Sequence, residues 1–183
     1  MALAPAAPVV PSEGWGVLHL HFAFRGPRSE PVDTAAAEAL VEAFEAGDDQ
    51  KCIAYAVLGQ KADLGLMLIG PDVARLHRLH VDLLQTPLGA RLEERRELSY
   101  VSLTEASEYM IDDGSGRVAE MREARLHPRG LPRRRVICFY PMSKRRLGDD
   151  NWYSLPFDER RRLMGGHGKL GAKFRERIVQ LIT

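Results

Sequence analysis

The chain has 183 residues of ordinary apolar content, enough to bury one or two small cores. A formal charge of +1 gives no global pull toward nucleic acid or a membrane, and no apolar run approaches the length of a bilayer span. Cys52 and Cys138 both sit in apolar runs, which suits buried thiols in a reducing compartment, hence the cytoplasm, better than a disulfide framework.

Met1 to Pro11 is rich in alanine and proline without the basic start and long apolar middle of a secretion signal, and reads as a flexible tail over 1–11. Residues 15–25 alternate as a strand, with Leu18, Leu20, Phe22 and Phe24 on one face and Val17, His19 and His21 on the other. Asp33 opens a helix carrying Ala37, Leu40, Val41 and Phe44, which stops at Gly47. Strands follow near 52–58 and 64–69 around a turn at Gly59. Pro71 and Asp72 then open a second helix with Val73, Leu76, Leu79 and Leu83 inward, and 98–104 supplies another strand. His77 and His80 lie near that helix's apolar side and are read as packing or solvent-facing residues. The order βαββαβ over 12–109 is a ferredoxin-like repeat in an α+β fold.

Residues 110–134 read as a linker and basic loop. Asp112-Asp113-Gly114-Ser115-Gly116 is turn chemistry, and Pro128, Gly130 and Pro132 oppose a regular element. Over 135–183 the pattern restarts with a strand at 135–140, a helix from Pro156 to Arg177 and a β-prone run at 178–183. In that helix Leu163, His167, Leu170 and Phe174 step by four, three and four, so His167 falls on the apolar stripe. A buried imidazole needs a partner, and Gly165, Gly166 and Gly168 strip its flanks of side chains. A haem-type iron with bare backbone beneath the macrocycle meets both conditions; a hydrogen-bonded core histidine is the other reading of this helix.

Tyr140-Pro141-Met142-Ser143-Lys144-Arg145-Arg146, then Asp150-Asn151-Trp152-Tyr153, Arg162-Leu163-Met164 and His167-Gly168, resemble the coproheme decarboxylases of the chlorite dismutase-like haem proteins, in the form found in Gram-positive bacteria. Gly59-Gln60-Lys61-Ala62-Asp63-Leu64 and Ser99-Tyr100-Val101-Ser102-Leu103 extend the likeness, which runs from about Trp15 to Thr183. The resemblance implies tandem ferredoxin-like repeats of the dimeric α+β barrel type, with 135–183 as the first half of a second, haem-binding repeat that is incomplete at its C-terminal end. It also implies a homopentamer and a transient contact with the coproporphyrin ferrochelatase.

The implied substrate is iron coproporphyrin III (coproheme), which acts as its own cofactor. Two of its four propionates are decarboxylated with hydrogen peroxide to give haem b, the last step of coproporphyrin-dependent haem biosynthesis. On this resemblance His167 is the proximal iron ligand and Tyr140 the residue oxidised to a radical that takes a hydrogen from the propionate β-carbon. Lys144 orients a propionate, Arg125 and Ser143 join the substrate site, and Met142 lies against the macrocycle. Gln180 takes the distal position where chlorite dismutases carry arginine. It is neutral, able to meet peroxide without favouring an anion, provided the helix has ended near Arg177 and a strand has begun.

Residues 122–146 carry many Arg and Lys against Glu123 alone, an asymmetry that a four-carboxylate substrate explains and that a solvated face would also show. The same residues admit a haem b-binding peroxidase-like protein or haem carrier of this fold, separated only by Tyr140, Lys144 and the basic loop. More remote is an RNA-binding module using Arg133 to Arg135, Arg145, Arg146 and Arg160 to Arg162. The first strand, however, lacks a basic-aromatic motif for stacking bases, so no nucleic acid and no membrane is expected as a partner.

Overall fold

Alternation in the first strand builds the molecule on both of its faces. In the computed structural model, which describes residues 7–27, 29–47, 49–59, 61–111 and 114–183, that strand is β1 (Gly16–Phe24). It is followed by α1 (Ala35–Glu45), β2 (Lys51–Ala56), β3 (Leu64–Gly70), α2 (Val73–Leu84), a single turn α3 (Pro87–Ala90), β4 (Leu92–Glu94) and β5 (Tyr100–Leu103). β3 runs antiparallel between β1 and β2, with Leu68 opposite both Leu18 and Cys52. β4 and β5 share the other edge of β1, β4 opposite Phe22 to Phe24 and β5 opposite Gly16 to His19. This is the expected βαββαβ sheet with β4 as an unforeseen addition; no barrel closes among the described residues.

One face of β1 sends Leu20 and Phe22 into a core with Leu66, Leu68, Phe44, Leu76, Leu79 and Leu83, so α1 and α2 cover that side. The other face gathers Trp15, Val17, Met67 and Ile69. Its cover comes from far along the chain, through Leu131 and Leu181. Cys52 is buried as expected, and burial, followed by the nearby Glu45 carboxylate, pushes its thiol up to about 12.

The helix starts follow from capping chemistry. Asp72 Oδ1 accepts from Ala74 N at 3.0 Å and from Val9 N at 2.9 Å, and Val73 N donates to Val9 O at 2.9 Å. Val9, read from sequence as part of a flexible tail, is therefore held at the start of α2; residues 1–6 of that tail lie outside the described residues. At α1, Asp33 Oδ1 accepts from Ala35 N at 3.0 Å, with Thr34 as the flanking residue. His80, read as packing or solvent-facing, lies 3.1 Å from Glu94.

Beyond β5 the expectations need correction. A helix, α4 (Arg117–Leu126), forms inside the segment read as linker; it buries only Leu126, which is why no apolar stripe announces it. Asp112 and Asp113 of the expected turn, and Gln60 of the family-like run, lie outside the described residues. The strands expected at 135–140 and 178–183 do not form. A β-prone run becomes a strand only when a neighbour supplies a hydrogen-bonding ladder, and neither run meets one. Cys138, expected to be buried, is consequently exposed.

Regular structure in the last third is limited to a hairpin, β6 (Arg146–Leu147) with β7 (Asp150–Asn151), and to α5 (Phe157–Ala172). α5 begins after Pro156 as expected and ends at Ala172 rather than Arg177, continuing as turns. It buries no residue: Leu163, Leu170 and Phe174 are exposed, so the stripe carrying His167 faces no core.

The Asp72 carboxylate satisfies donors from two segments at once, so Asp72→Ala should cost about 1–2 kcal/mol, read from the urea unfolding midpoint. Thr34→Ala, whose side chain caps no backbone group, should cost under about 0.5 kcal/mol in the same assay. Equal losses would contradict the capping account.

Candidate functional site

The hairpin and the turn after it bring Lys144 against α5. Gly148 sits at φ +50°, in the region that favours glycine, and lets the chain reverse between β6 and β7. An ion pair between Arg145 and Asp150, with Trp152 N donating to Arg145 O at 2.9 Å, closes the base. Asn151 Oδ1 accepts from Tyr153 N at 3.0 Å and starts a short turn at Trp152–Ser154. That turn sets the Trp152 ring beneath Lys144, with Nζ 4.5 Å from its centroid, and Tyr153 beneath Arg146 at 4.7 Å. Lys144 Nζ also lies 3.6 Å from Met164 Sδ. Met164 and His167 are three residues apart on α5 and so share a side of the helix, which brings the Lys144 ammonium to the flank that carries His167.

The start of α5 is anchored separately. Arg160 donates to Glu108 Oε1 at 3.0 Å and to the Tyr109 hydroxyl at 3.1 Å, while Phe157 stacks on Tyr109 at 5.5 Å. His167 itself is exposed, and its ring makes no hydrogen bond or ion pair among the described residues. A Cβ added at Gly165, Gly166, Gly168 or Gly171 would meet nothing within 4 Å. An unpartnered imidazole on a helix surface cleared of side chains fits a planar iron macrocycle, which His167 would hold through a neutral ring nitrogen. Among the described residues no group of three or more His, Cys, Asp or Glu could hold a metal ion, so iron at His167 would need its other ligands from such a macrocycle.

Some of the other sequence-predicted residues line one of two clefts. Ser143 and Lys144 line one of about 530 Å³ with Arg145, Arg146 and Leu147. Arg125 and Gln180 line another of about 530 Å³ with Met121, His127, Leu131 and Leu181. Tyr140 and Met142 are exposed and line neither. Gln180 reaches its cleft from irregular chain: the helix has ended before it, as its assignment requires, but the strand that the assignment also requires does not form.

Charge is distributed with the same bias. Arg122 pairs with Glu13, Arg129 with Asp49 and Glu123, and Arg145 with Asp150. No ion pair is made among the described residues by Arg125, Arg133, Arg134, Arg135, Lys144 or Arg146. Two of these six are the cations the sequence assigns to carboxylate binding.

Two features go unread in the sequence. Trp152 is the seat of Lys144, although it stands within the family-like motif without a role. The other is a polar patch on the second sheet face: His19 and His21 are buried, and Tyr55 Oη lies 3.1 Å from His21 Nε2. Phe139 stacks on His19 with centroids 4.2 Å apart. The alternation of β1 puts both histidines on that face, but nothing local shows that residue 139 covers them.

The chlorite dismutase family model matches residues 33–183, and the chain belongs to that family. Among solved structures it is similar to a haem-binding protein from Thermus thermophilus, at 32% identity and a TM-score of 0.72, covering 94% of this chain and 72% of that one. A mutant chlorite dismutase from Candidatus Nitrospira defluvii shares the fold at 14% identity and TM-score 0.58, over 90% of this chain and 68% of that one. A second mutant of that enzyme does so at 14% and 0.55, over 87% and 65%. No helix among the described residues is long and apolar enough to cross a membrane.

Burial holds the His19 imidazole down to about 4, with the neighbouring His21 adding to the effect; His21 is lowered too, again mainly by burial. The unfolded chain, with an ordinary histidine near 6.5, then binds more protons than the native one between about pH 4 and 6.5. Stability should therefore rise with pH across that window. In His19→Phe, which keeps a ring but cannot be protonated, the larger part of that rise should vanish from the urea midpoints. An unchanged pH slope would contradict the burial of a neutral His19.

Proposed function

We propose that this chain is a coproheme decarboxylase, converting iron coproporphyrin III to haem b with hydrogen peroxide. The observation that carries the reading is the Lys144 ammonium, which has no carboxylate partner among the described residues and is seated on Trp152 against the His167-bearing face of α5, four residues after Tyr140. Each propionate side chain, with one peroxide and one proton, yields a vinyl group, carbon dioxide and two waters. Carbon–carbon cleavage and loss of a β-hydrogen supply the two electrons that reduce the peroxide.

The bound iron porphyrin draws oxidising power from hydrogen peroxide. His167 would hold the iron through a ring nitrogen, on a helix surface that Gly165, Gly166 and Gly168 keep clear of side chains. The Tyr140 phenol can surrender its hydrogen and take one from the propionate β-carbon, because its ring stabilises the unpaired electron meanwhile. Lys144 orients the departing carboxylate as a point charge, Ser143 offers a hydroxyl in the same cleft, and Met142 gives a soft apolar contact. Arg125 binds a second carboxylate, and Gln180, lining the same cleft, offers a neutral hydrogen-bonding group to peroxide. Cytoplasmic location, a homopentameric assembly and delivery by the coproporphyrin ferrochelatase belong to the same proposal.

A second reading, a protein that binds finished haem b as a carrier or peroxidase, draws support from the haem-binding Thermus thermophilus relative. Tyr140→Phe separates the two. It keeps the ring but lacks the phenolic hydrogen, so coproheme should still bind while peroxide no longer yields carbon dioxide and haem b. Lys144→Ala should slow product formation about 10–100-fold, the worth of one charge-assisted hydrogen bond. Porphyrin chromatography after peroxide addition reads both variants, and wild-type product from Tyr140→Phe would refute the assignment.

Titrating His167→Ala with ferric coproheme should show affinity weakened by at least about tenfold and a changed iron spectrum. Unaltered affinity and spectrum would remove His167 from the ligand role.

A further inference from the structure

Phe139 and Tyr140 are adjacent, yet one is seated on the sheet and the other stands clear of it. Phe139 lies on His19 with centroids 4.2 Å apart and planes inclined by 19°, while His21 at 5.9 Å and Tyr100 at 5.8 Å flank it. His19 is 4% exposed, and neither of its ring nitrogens has a hydrogen-bond partner among the described residues. It therefore offers Phe139 only a flat ring face, and because burial keeps the imidazole uncharged near neutral pH, the stack needs no counter-ion. Tyr140, the next residue, is 64% exposed. Among the described residues no hydrogen bond ties 136–142 to the rest of the molecule. Phe139 is itself 36% exposed, and its ring contacts with His19, His21 and Tyr100 are what tie this stretch to the sheet beside Tyr140.

We infer that Phe139, seated on the His19 ring of the first sheet, is the positioning residue for Tyr140. The inference rests on the proposed role of Tyr140 as the group that takes hydrogen from the propionate. A hydrogen transfer depends steeply on the separation and angle of the two atoms, so a tyrosine on an untethered segment would spend little time in a reactive pose. Seating the neighbouring ring on a buried strand restricts that freedom without placing a further side chain in the substrate site.

The test uses the full-length chain with three variants. In Phe139→Leu the His19 Cε1 proton resonance should move downfield, having lost the ring current of the stacked phenyl. Coproheme affinity should stay within about twofold, since His167 is untouched, while turnover with peroxide falls about tenfold at unchanged peroxide KM. Phe139→Tyr, which keeps the ring, should restore both the resonance and the turnover. His19→Leu, which removes the platform and keeps Phe139, should reproduce the turnover loss, and it serves as the test if Phe139→Leu does not fold.

A His19 resonance unmoved by Phe139→Leu would overturn the contact itself. A moved resonance with wild-type turnover would overturn the positioning role, and inactivity of Tyr140→Phe in the same preparation would leave the decarboxylase reading standing. Full activity of Tyr140→Phe would remove both.

Discussion

The structure depends on a central strand that must satisfy both of its faces and both of its edges. β1 is hydrogen-bonded by β3 along Gly16 to Phe22 on one side and by β5 along Gly16 to His19 and β4 along Phe22 to Phe24 on the other, so most of its length is paired on both edges. Its inner face closes a core with two amphipathic helices by local connections. Its outer face has no helix, and what covers it arrives from residues 126–181: Leu131 and Leu181 over Trp15 and Val17, Phe139 over His19 and His21. The polar half of this face holds buried imidazoles kept neutral, at a cost in stability that falls due as the pH drops.

Site chemistry is carried by what remains unpaired. The total charge of +1 conceals a segment in which some cations are paired and others make no ion pair among the described residues. Arg122, Arg129 and Arg145 bind carboxylates of this chain, and in doing so fix α4, the following loop and the base of the hairpin. Among the described residues Arg125 and Lys144 do not, and each lines a cleft. A cation held in a cleft without a partner is available to a carboxylate from outside, and a substrate with four propionates supplies several. Trp152 gives the Lys144 ammonium a resting place, and on the proposed reading a porphyrin carboxylate would compete for it more readily than it would break a strong ion pair.

How much of this is legible in the sequence depends on the range of the interaction. The faces of β1, the helix start at Asp72 and the inward row Leu76, Leu79, Leu83 follow from spacing within one element, and the structure shows them. Residues 135–140 carry the same β-prone composition as β1 and form no strand, because pairing needs a second segment that composition cannot specify. His167 occupies an apolar stripe by spacing, but spacing does not say whether anything covers the stripe, and here it is exposed. A nearly uniform polar surface hides α4. Among site residues, sequence order places Lys144 four positions after Tyr140, whereas the seat of Lys144 on Trp152 and the stack of Phe139 on His19 are tertiary contacts with no local signature.

The central claim is that this chain removes carboxylates from a porphyrin rather than merely holding one. The most direct measurement is the mass of the porphyrin recovered after titrating the coproheme-loaded, full-length chain with hydrogen peroxide. The account predicts loss of two propionate carboxyl groups, appearance of haem b, and carbon dioxide released in step with peroxide consumed. Recovery of coproheme with all four propionates intact, or bleached without vinyl product, would contradict it.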